Sequence, residues 1–377
     1  CVATSAALIG ALFGLTPDAS ALVGVALIGS FVGQDSIARD VRKLRPSHGF
    51  ELQAGVLSEV ATPAGDLLYG PADGAAAMAN AVRPLLNAFP SADVEVSGGF
   101  DSRAIVAAIP RDLRRNLCGF TLGRDGEPDV EIARRICAAS GMKHRVIAPV
   151  ALAELDAEQF ENLLADCAMS FEFGSNPLSS AIIKLVGTQN ASEARFSGQN
   201  GEILRGFYYA AQPLGASGGR RLAEALVEMR VFGNDLADPK IFHPDPYRDY
   251  RATVRRRLVD QLLDYGSPWS TALDRFYLDQ RMQRWCGADT TNAIQERRPL
   301  MPFFDADLIA SAFATPAQLK RANRHMSRLI TELDPELGGL PLDSGLRPAD
   351  LRQPGVATRL AGLSKFARKV VAKATQK

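Results

Sequence analysis

Two short polar turns carry most of the chemistry open to this chain. The first is Ser97-Gly98-Gly99-Phe100-Asp101-Ser102. Val94-Glu95-Val96 before it favours a strand, and Arg103 to Ile109 after it has helical spacing. A strand, a glycine turn and a helix start together make a phosphate cradle. The glycines let backbone N–H groups face an anion, and the helix N-terminus adds partial positive charge. Ser97 and Ser102 add hydroxyl donors. Asp101 places an acid where a phosphate belongs, and the two repel unless a divalent cation lies between them. The turn therefore reads as a nucleotide site with Mg2+. It lacks the lysine and the longer spacing of a Walker loop.

The second turn repeats this logic. Ala194-Arg-Phe enters Ser197-Gly198-Gln199-Asn200-Gly201-Glu202, again a strand running into a polar glycine turn that carries an acid. Two such acidic turns at sheet ends can bridge one Mg2+–pyrophosphate unit through hard oxygen ligands. In a third stretch, Glu296-Arg297 enters a turn rich in proline and aromatics, Pro299 to Asp305. A carboxylate there could act as general base toward an incoming amine, or pair with that base. A structural salt bridge is the alternative reading for both residues.

These turns need a scaffold. Residues 73–89 read as an Ala-rich helix, 117–123 as a strand, 129–140 as an amphipathic helix stopped by Gly141, and 144–148 as a strand. Alternating strands and helices predict an α/β fold with a parallel, doubly wound sheet, which binds ligands at the carboxyl ends of its strands. Ser97 and Gly123 fall at such ends. Upstream, Thr16 as N-cap and Pro17 in the first helical position predict a buried helix reaching Val32. A short helix from Ile37 and a hairpin after Pro46 and Gly49 follow. From Gly215 the chain becomes Arg-rich and helical, with a long helix over 272–284. Arg248, Arg251 and Arg255 to Arg257 read as a solvated helix face.

The chain has 377 residues, 46% hydrophobic and 23% charged, with a net charge of +1. That is an ordinary globular composition, without the basic field of a nucleic-acid binder. Five cysteines show no CxxC pair, which suits buried thiols in a reducing, cytoplasmic setting. Four scattered histidines argue against zinc. Residues 1–33 show neither a basic leader nor an apolar run long enough for a membrane span.

Ser97 to Ser102 resembles the SGGxDS loop of ATP pyrophosphatases. With the second turn, which is similar to an SGEGSDExxGGY segment, and with Glu296-Arg297 and Pro302-Phe303, the chain resembles the asparagine synthetase family. Leu44-Arg45-Pro46, Pro316 and Lys320 fit family spacings too. The resemblance implies a sheet of the adenine-nucleotide α-hydrolase type and an AMP-forming amide ligase. A substrate carboxylate is adenylated, and an amine then displaces AMP. It further implies Ser97, Gly98, Gly99, Asp101 and Ser102 on the pyrophosphate, Val96, Leu122, Ser197 and Gly198 around adenosine, Asp101 and Glu202 on Mg2+, and Glu296 on the acceptor side. Glu202 stands where the family has aspartate, and Gln199 where it has an acid or tyrosine. Arg347 is the nearest basic candidate for the family's catalytic lysine.

By the same resemblance, residues 1–72 are a remnant or tail of a glutaminase-like domain and 73–215 the ATP pyrophosphatase core. Residues 216–345 form a helical part completing the site, and 346–377 a basic tail. Cys1-Val-Ala lacks the glutaminase context. A specialised member is expected, such as a lasso-peptide macrocyclase, with a small-molecule or peptide carboxylate, an amine acceptor, and a precursor peptide and protease as partners. Ordinary asparagine synthesis with a truncated glutaminase domain, a β-lactam-synthetase-like cyclase and an inactive scaffold stand as alternatives.

Overall fold

In the computed structural model the described residues are 1–61, 73–148, 154–170, 172, 177–187, 192–210, 212–215, 217–232 and 239–352. Of residues 186, 187 and 292–296 only the backbone is described. The chain divides into two compact units, each assembled from separated segments. One comprises Cys1–Leu67, Pro149–Glu193 and Phe207–Pro299, the other Leu68–Ala148, Ala194–Gly206 and Leu300–Lys377. The division follows space and not chain order, so residues 149–193 and 207–215 fall with the helical unit.

In the first unit, α1 (Ala6–Leu12) and α2 (Ala19–Ile28) precede an antiparallel hairpin, β1 (His48–Gln53) and β2 (Val56–Ala61). The start of α2 differs from the Thr16–Pro17 reading. Asp18 is the N-cap, its carboxylate accepting from Ala21 N–H at 3.1 Å, while Pro17 pairs with Ala38 in an isolated bridge. A carboxylate is the stronger cap, and the pairing holds Pro17 extended. No helix forms at residues 37–44. Further helices are α7 (Ala157–Ser170), α8 (Pro177–Gly187), α9 (Arg220–Leu226), α10 (Pro244–Asp264), α11 (Trp269–Phe276) and α12 (Gly287–Glu296). Two stretches have π-helical bonding, Val227–Val231 after α9 and Tyr277–Cys286 between α11 and α12. The basic face of α10 is neutralised from within its own unit. Arg251 and Arg255 pair with Glu228, and Arg257 with Asp35.

The second unit holds the sheet. Its strands are β3 (Asp93–Glu95), β4 (Cys118–Leu122), β5 (Lys143–Ile147), β6 (Ala194–Phe196) and β7 (Arg298–Leu300), in the order β5-β4-β3-β6-β7. Leu300 brings the end of β7 into this unit. Strand β3 runs parallel to both β4 and β6, and β4 parallel to β5. Chain order moves outward from β3 through β4 to β5, then returns to the other side of β3 at β6. The strand order thus reverses between β3 and β6, the place where parallel sheets open a crevice. The predicted α/β fold with a parallel sheet is observed.

The helices of this unit are α3 (Gly74–Ala88), α4 (Asp101–Ala108), α5 (Arg111–Arg114), α6 (Pro128–Ser140), α13 (Ala306–Ala314), α14 (Ala317–Lys320), α15 (Arg324–Leu333), α16 (Pro335–Gly339) and α17 (Pro348–Leu351). Gly141 ends α6 with φ of 69°, the left-handed cap expected of it. α4 is almost wholly buried, with Ala104, Ile105 and Val106 fully inside, and packs on α3 and α15. Two arginines are buried at the ends of this core. Arg103 donates to the carbonyls of Leu337, Leu340 and Pro341. Arg114 donates to Asp334 at 2.6 Å, with both side chains 2% exposed or less.

Candidate active site

The two acidic turns leave adjacent strands at the reversal point, β3 into Ser97–Ser102 and β6 into Ser197–Glu202. The first turn is internally tied. Ser97 N–H donates to Ser102 Oγ at 3.0 Å, the two hydroxyls are 3.1 Å apart, and Gly99 N–H reaches Ser97 Oγ at 3.3 Å. Gly98 N–H donates to Asp129 Oδ1 at 2.7 Å, so the first turn of α6 holds the loop from outside. Helix α4 starts at Phe100 with no side chain capping it. No side chain therefore caps its first N–H groups, the groups that bind anions at helix starts.

The second turn is pressed against the first. Asn200 takes a left-handed φ of 72°, and its Nδ2 donates to Phe303 O at 2.6 Å. Its Oδ1 is buried with no partner among the described residues. Gly201 then passes directly over Asp101. A Cβ there would lie 2.4 Å from Asp101 Oδ1 and 2.5 Å from its Cγ, so only glycine allows the approach. One turn later in the chain, Arg205 donates its Nε to Asp101 Oδ1 at 3.1 Å and an Nη to Oδ2 at 2.6 Å. Its guanidinium also lies over the Phe100 ring, 5.7 Å from the centroid.

Asp101 is only about a fifth exposed, at 21% of its side chain. Burial pushes its carboxyl up from the ordinary carboxylate range, and the nearby Glu202 pushes it the same way, against the pull of Arg205. Two carboxylates close enough to repel are hard oxygen donors of the kind Mg2+ takes, and a cation carried in on phosphate oxygens would replace Arg205 at Asp101. No cluster of three or more His, Cys, Asp or Glu suited to a metal is found among the described residues. A cation here would have to share its shell with the nucleotide.

Around the turns, Val96 is buried, and its carbonyl accepts from Thr121 Oγ1 at 2.6 Å. Thr121 also contacts His144 Nε2 at 2.9 Å, and burial lowers the imidazole's pKa. Leu122, at the end of β4, is 40% exposed and presents an apolar surface to solvent. Ser197 is buried, and its N–H bonds Leu300 O at 2.9 Å. Gly198 lies against Asp101 Cβ and Ser102 N. Glu202 is the second residue of a 3-10 turn, Gly201–Leu204. Arg347 is exposed and precedes α17, in a segment that α15 ties to α4. The Glu296 side chain lies outside the described residues.

The structure thus brings Ser97, Gly98, Gly99, Asp101, Ser102, Ser197, Gly198 and Glu202 together, with Val96 and Leu122 at the ends of the neighbouring strands. Three participants were not anticipated: Arg205, Asp129 and Asn200. Arg205 and Asn200 lie within the second turn's own segment, which is the signal that could have found them. Asp129 is distant in sequence and gave none.

Comparison with known proteins bears on this arrangement. The family model described as asparagine synthase matches residues 74–332. Among solved structures, the chain is similar to an NH3-dependent NAD synthetase from Campylobacter jejuni. The identity is 15%, the TM-score 0.28, and the match covers 56% of this chain and 94% of that one. Among curated proteins, none matches the chain.

Proposed function

The chain belongs to the asparagine synthase family, whose members are ATP-dependent ligases, and on that premise we propose that it forms an amide by way of an acyl-adenylate, releasing AMP and pyrophosphate. One observation supports this above the others. Two acid-bearing glycine turns meet at the strand reversal, with Asp101 under Gly201 and the uncapped start of α4 beside them.

In this reading the N-terminal N–H groups of α4 and the hydroxyls of Ser97 and Ser102 bind the β and γ phosphates. Val96 and Leu122 border the adenosine. The substrate carboxylate attacks the α-phosphorus, the bond to the bridging oxygen breaks, and pyrophosphate leaves. Arg205, paired with Asp101, would lend its positive charge to the departing phosphates. Asp101 and Glu202 would hold Mg2+, which neutralises phosphate charge when bound. An amine then attacks the acyl carbon, loses a proton and displaces AMP. Glu296 is the proposed base for that proton, and Arg347 the proposed counter-charge to the tetrahedral oxyanion. A peptide carboxylate and an amine of the same precursor, as in macrocyclisation, form the proposed substrate pair.

The test is product analysis with ATP labelled at the α-phosphorus and candidate peptide or amino-acid substrates. Labelled AMP with stoichiometric pyrophosphate is expected, and Asp101→Ala should abolish both. ADP with phosphate would refute the adenylation reading. So would full AMP formation by the Asp101→Ala variant.

A further inference from the structure

The helical unit contains a second cationic site that the adenylation chemistry does not use. Two arginines lie against the Phe207 ring there. The Arg281 guanidinium sits over the Phe207 ring, 4.7 Å from its centroid, and over the Trp285 ring at 4.6 Å. Arg230 lies over the other part of this cluster, 5.4 Å from the Phe207 centroid, and donates to Phe207 O at 2.9 Å. Tyr208, Phe276 and Tyr277 close the cluster with ring contacts of 4.8–6.5 Å.

Both arginines come from π-helical stretches, Arg230 from Val227–Val231 and Arg281 and Trp285 from Tyr277–Cys286. Such widened turns cost backbone stability and concentrate at functional sites. Within the second stretch Arg281 meets Trp285, four residues on.

Charge is unbalanced at this point. Neither arginine has a carboxylate partner among the described residues. Three acids of the adjoining helices are engaged elsewhere: Glu228 with Arg251 and Arg255, Asp274 with Tyr209, and Asp279 with Tyr265. Arg281 Nε is buried with no hydrogen-bond partner. Burial, and the charge of Arg281 beside it, lower the pKa of Arg230. Two like charges held half-buried on aromatic faces are costly unless an anion joins them.

We propose that Arg230 and Arg281, braced on Phe207 and Trp285, form a binding site for a carboxylate on an apolar stem. The aromatic walls favour a weakly hydrated monoanion on an apolar stem over the strongly hydrated phosphate dianion. The planar guanidinium forks suit a carboxylate. This site stands apart from the function proposed above.

Isothermal titration of the full chain with glutarate as the dicarboxylate probe, and separately with inorganic phosphate, tests this without ATP. Saturable glutarate binding is expected, weakened roughly tenfold or more in Arg230→Gln and in Arg281→Gln, the loss of one charge-assisted contact. Arg281→Lys keeps the charge but not the fork, and should fall between Arg281→Gln and the wild type. Circular dichroism checks that each variant folds. Asp101→Ala should bind glutarate like the wild type, which separates this site from the nucleotide turns. Absent glutarate binding, binding unchanged in both Gln variants, or phosphate bound as tightly as glutarate and lost in Arg230→Gln and Arg281→Gln would each overturn the site. If Arg-dependent glutarate binding stands while AMP formation fails, only the ligase reading falls.

Discussion

Gly201→Ala offers a sharp test of the way the two turns meet. The added methyl carbon would sit 2.4 Å from Asp101 Oδ1, 2.5 Å from Cγ and 2.7 Å from Cβ. All three lie well inside carbon contact distance, so about 1 Å of movement is required to relieve them. Asp101 cannot swing away freely, because both its oxygens accept from Arg205. Either the Arg205 pair breaks or the Ser197–Glu202 turn lifts from α4. Overpacking of this kind costs about 1–3 kcal/mol of stability. Displacement of a positioned group by 1 Å costs activity by about 10²-fold. The assay is AMP release at saturating ATP together with a urea unfolding midpoint. Gly215→Ala serves as the control, since nothing lies within 4 Å of a Cβ there. If Gly201→Ala retained activity within about threefold of wild type with an unchanged midpoint, the packing of Asp101 under Gly201 would not matter and the reasoning would fail; that threshold is under 1 kcal/mol.

Other outcomes follow from the same geometry. Asp334→Ala leaves Arg114 buried without its partner and should cost about 3–5 kcal/mol in urea unfolding. Although burial raises the Asp334 pKa, hydrogen bonds from Arg114, Arg111 and the Leu337 N–H outweigh it and hold the carboxyl below its ordinary value. Its folded pKa therefore lies below the unfolded one, so its contribution is full above about pH 4 and lost as pH falls further. The stability gap between wild type and Asp334→Asn should shrink over that acid range, and a gap that grows would contradict the assignment. Arg205→Gln removes the charge that favours ionised Asp101, so the acid limb of the kcat/KM profile should move to higher pH. Arg103→Met removes three bonds to the carbonyls of Leu337, Leu340 and Pro341, and should destabilise by about 3 kcal/mol or more. Protease sensitivity within residues 337–343 would report where the release occurs.

Much of the local structure was legible because it is decided locally. The Asp93–Ile147 strands and helices follow from hydrophobic period and turn glycines, and Gly141 ends its helix by a left-handed φ that other residues resist. Thr16 misled because capping depends on which side chain reaches the free N–H groups, and Asp18 is the one that does. The long helix over 272–284 was expected, but its π-helical bonding was not, since sequence period does not reveal a ring of ladder bonds widened by one residue. The buried pair Arg114–Asp334, 220 residues apart, carries no sequence signal either.

In the end, the sequence by itself determined the chemistry of each turn: glycines, at least one serine and one acid, each at the end of a strand. Those identities imply phosphate, cation and repulsion whatever the rest of the chain does. Only the tertiary structure decided that the two turns face one another, because parallel pairing of β3 with β6 joins segments a hundred residues apart. It also decided that Arg205 clamps Asp101, and that Arg230 and Arg281 share one phenylalanine. Those are consequences of packing, where partners are chosen by space and by the cost of leaving charge buried alone.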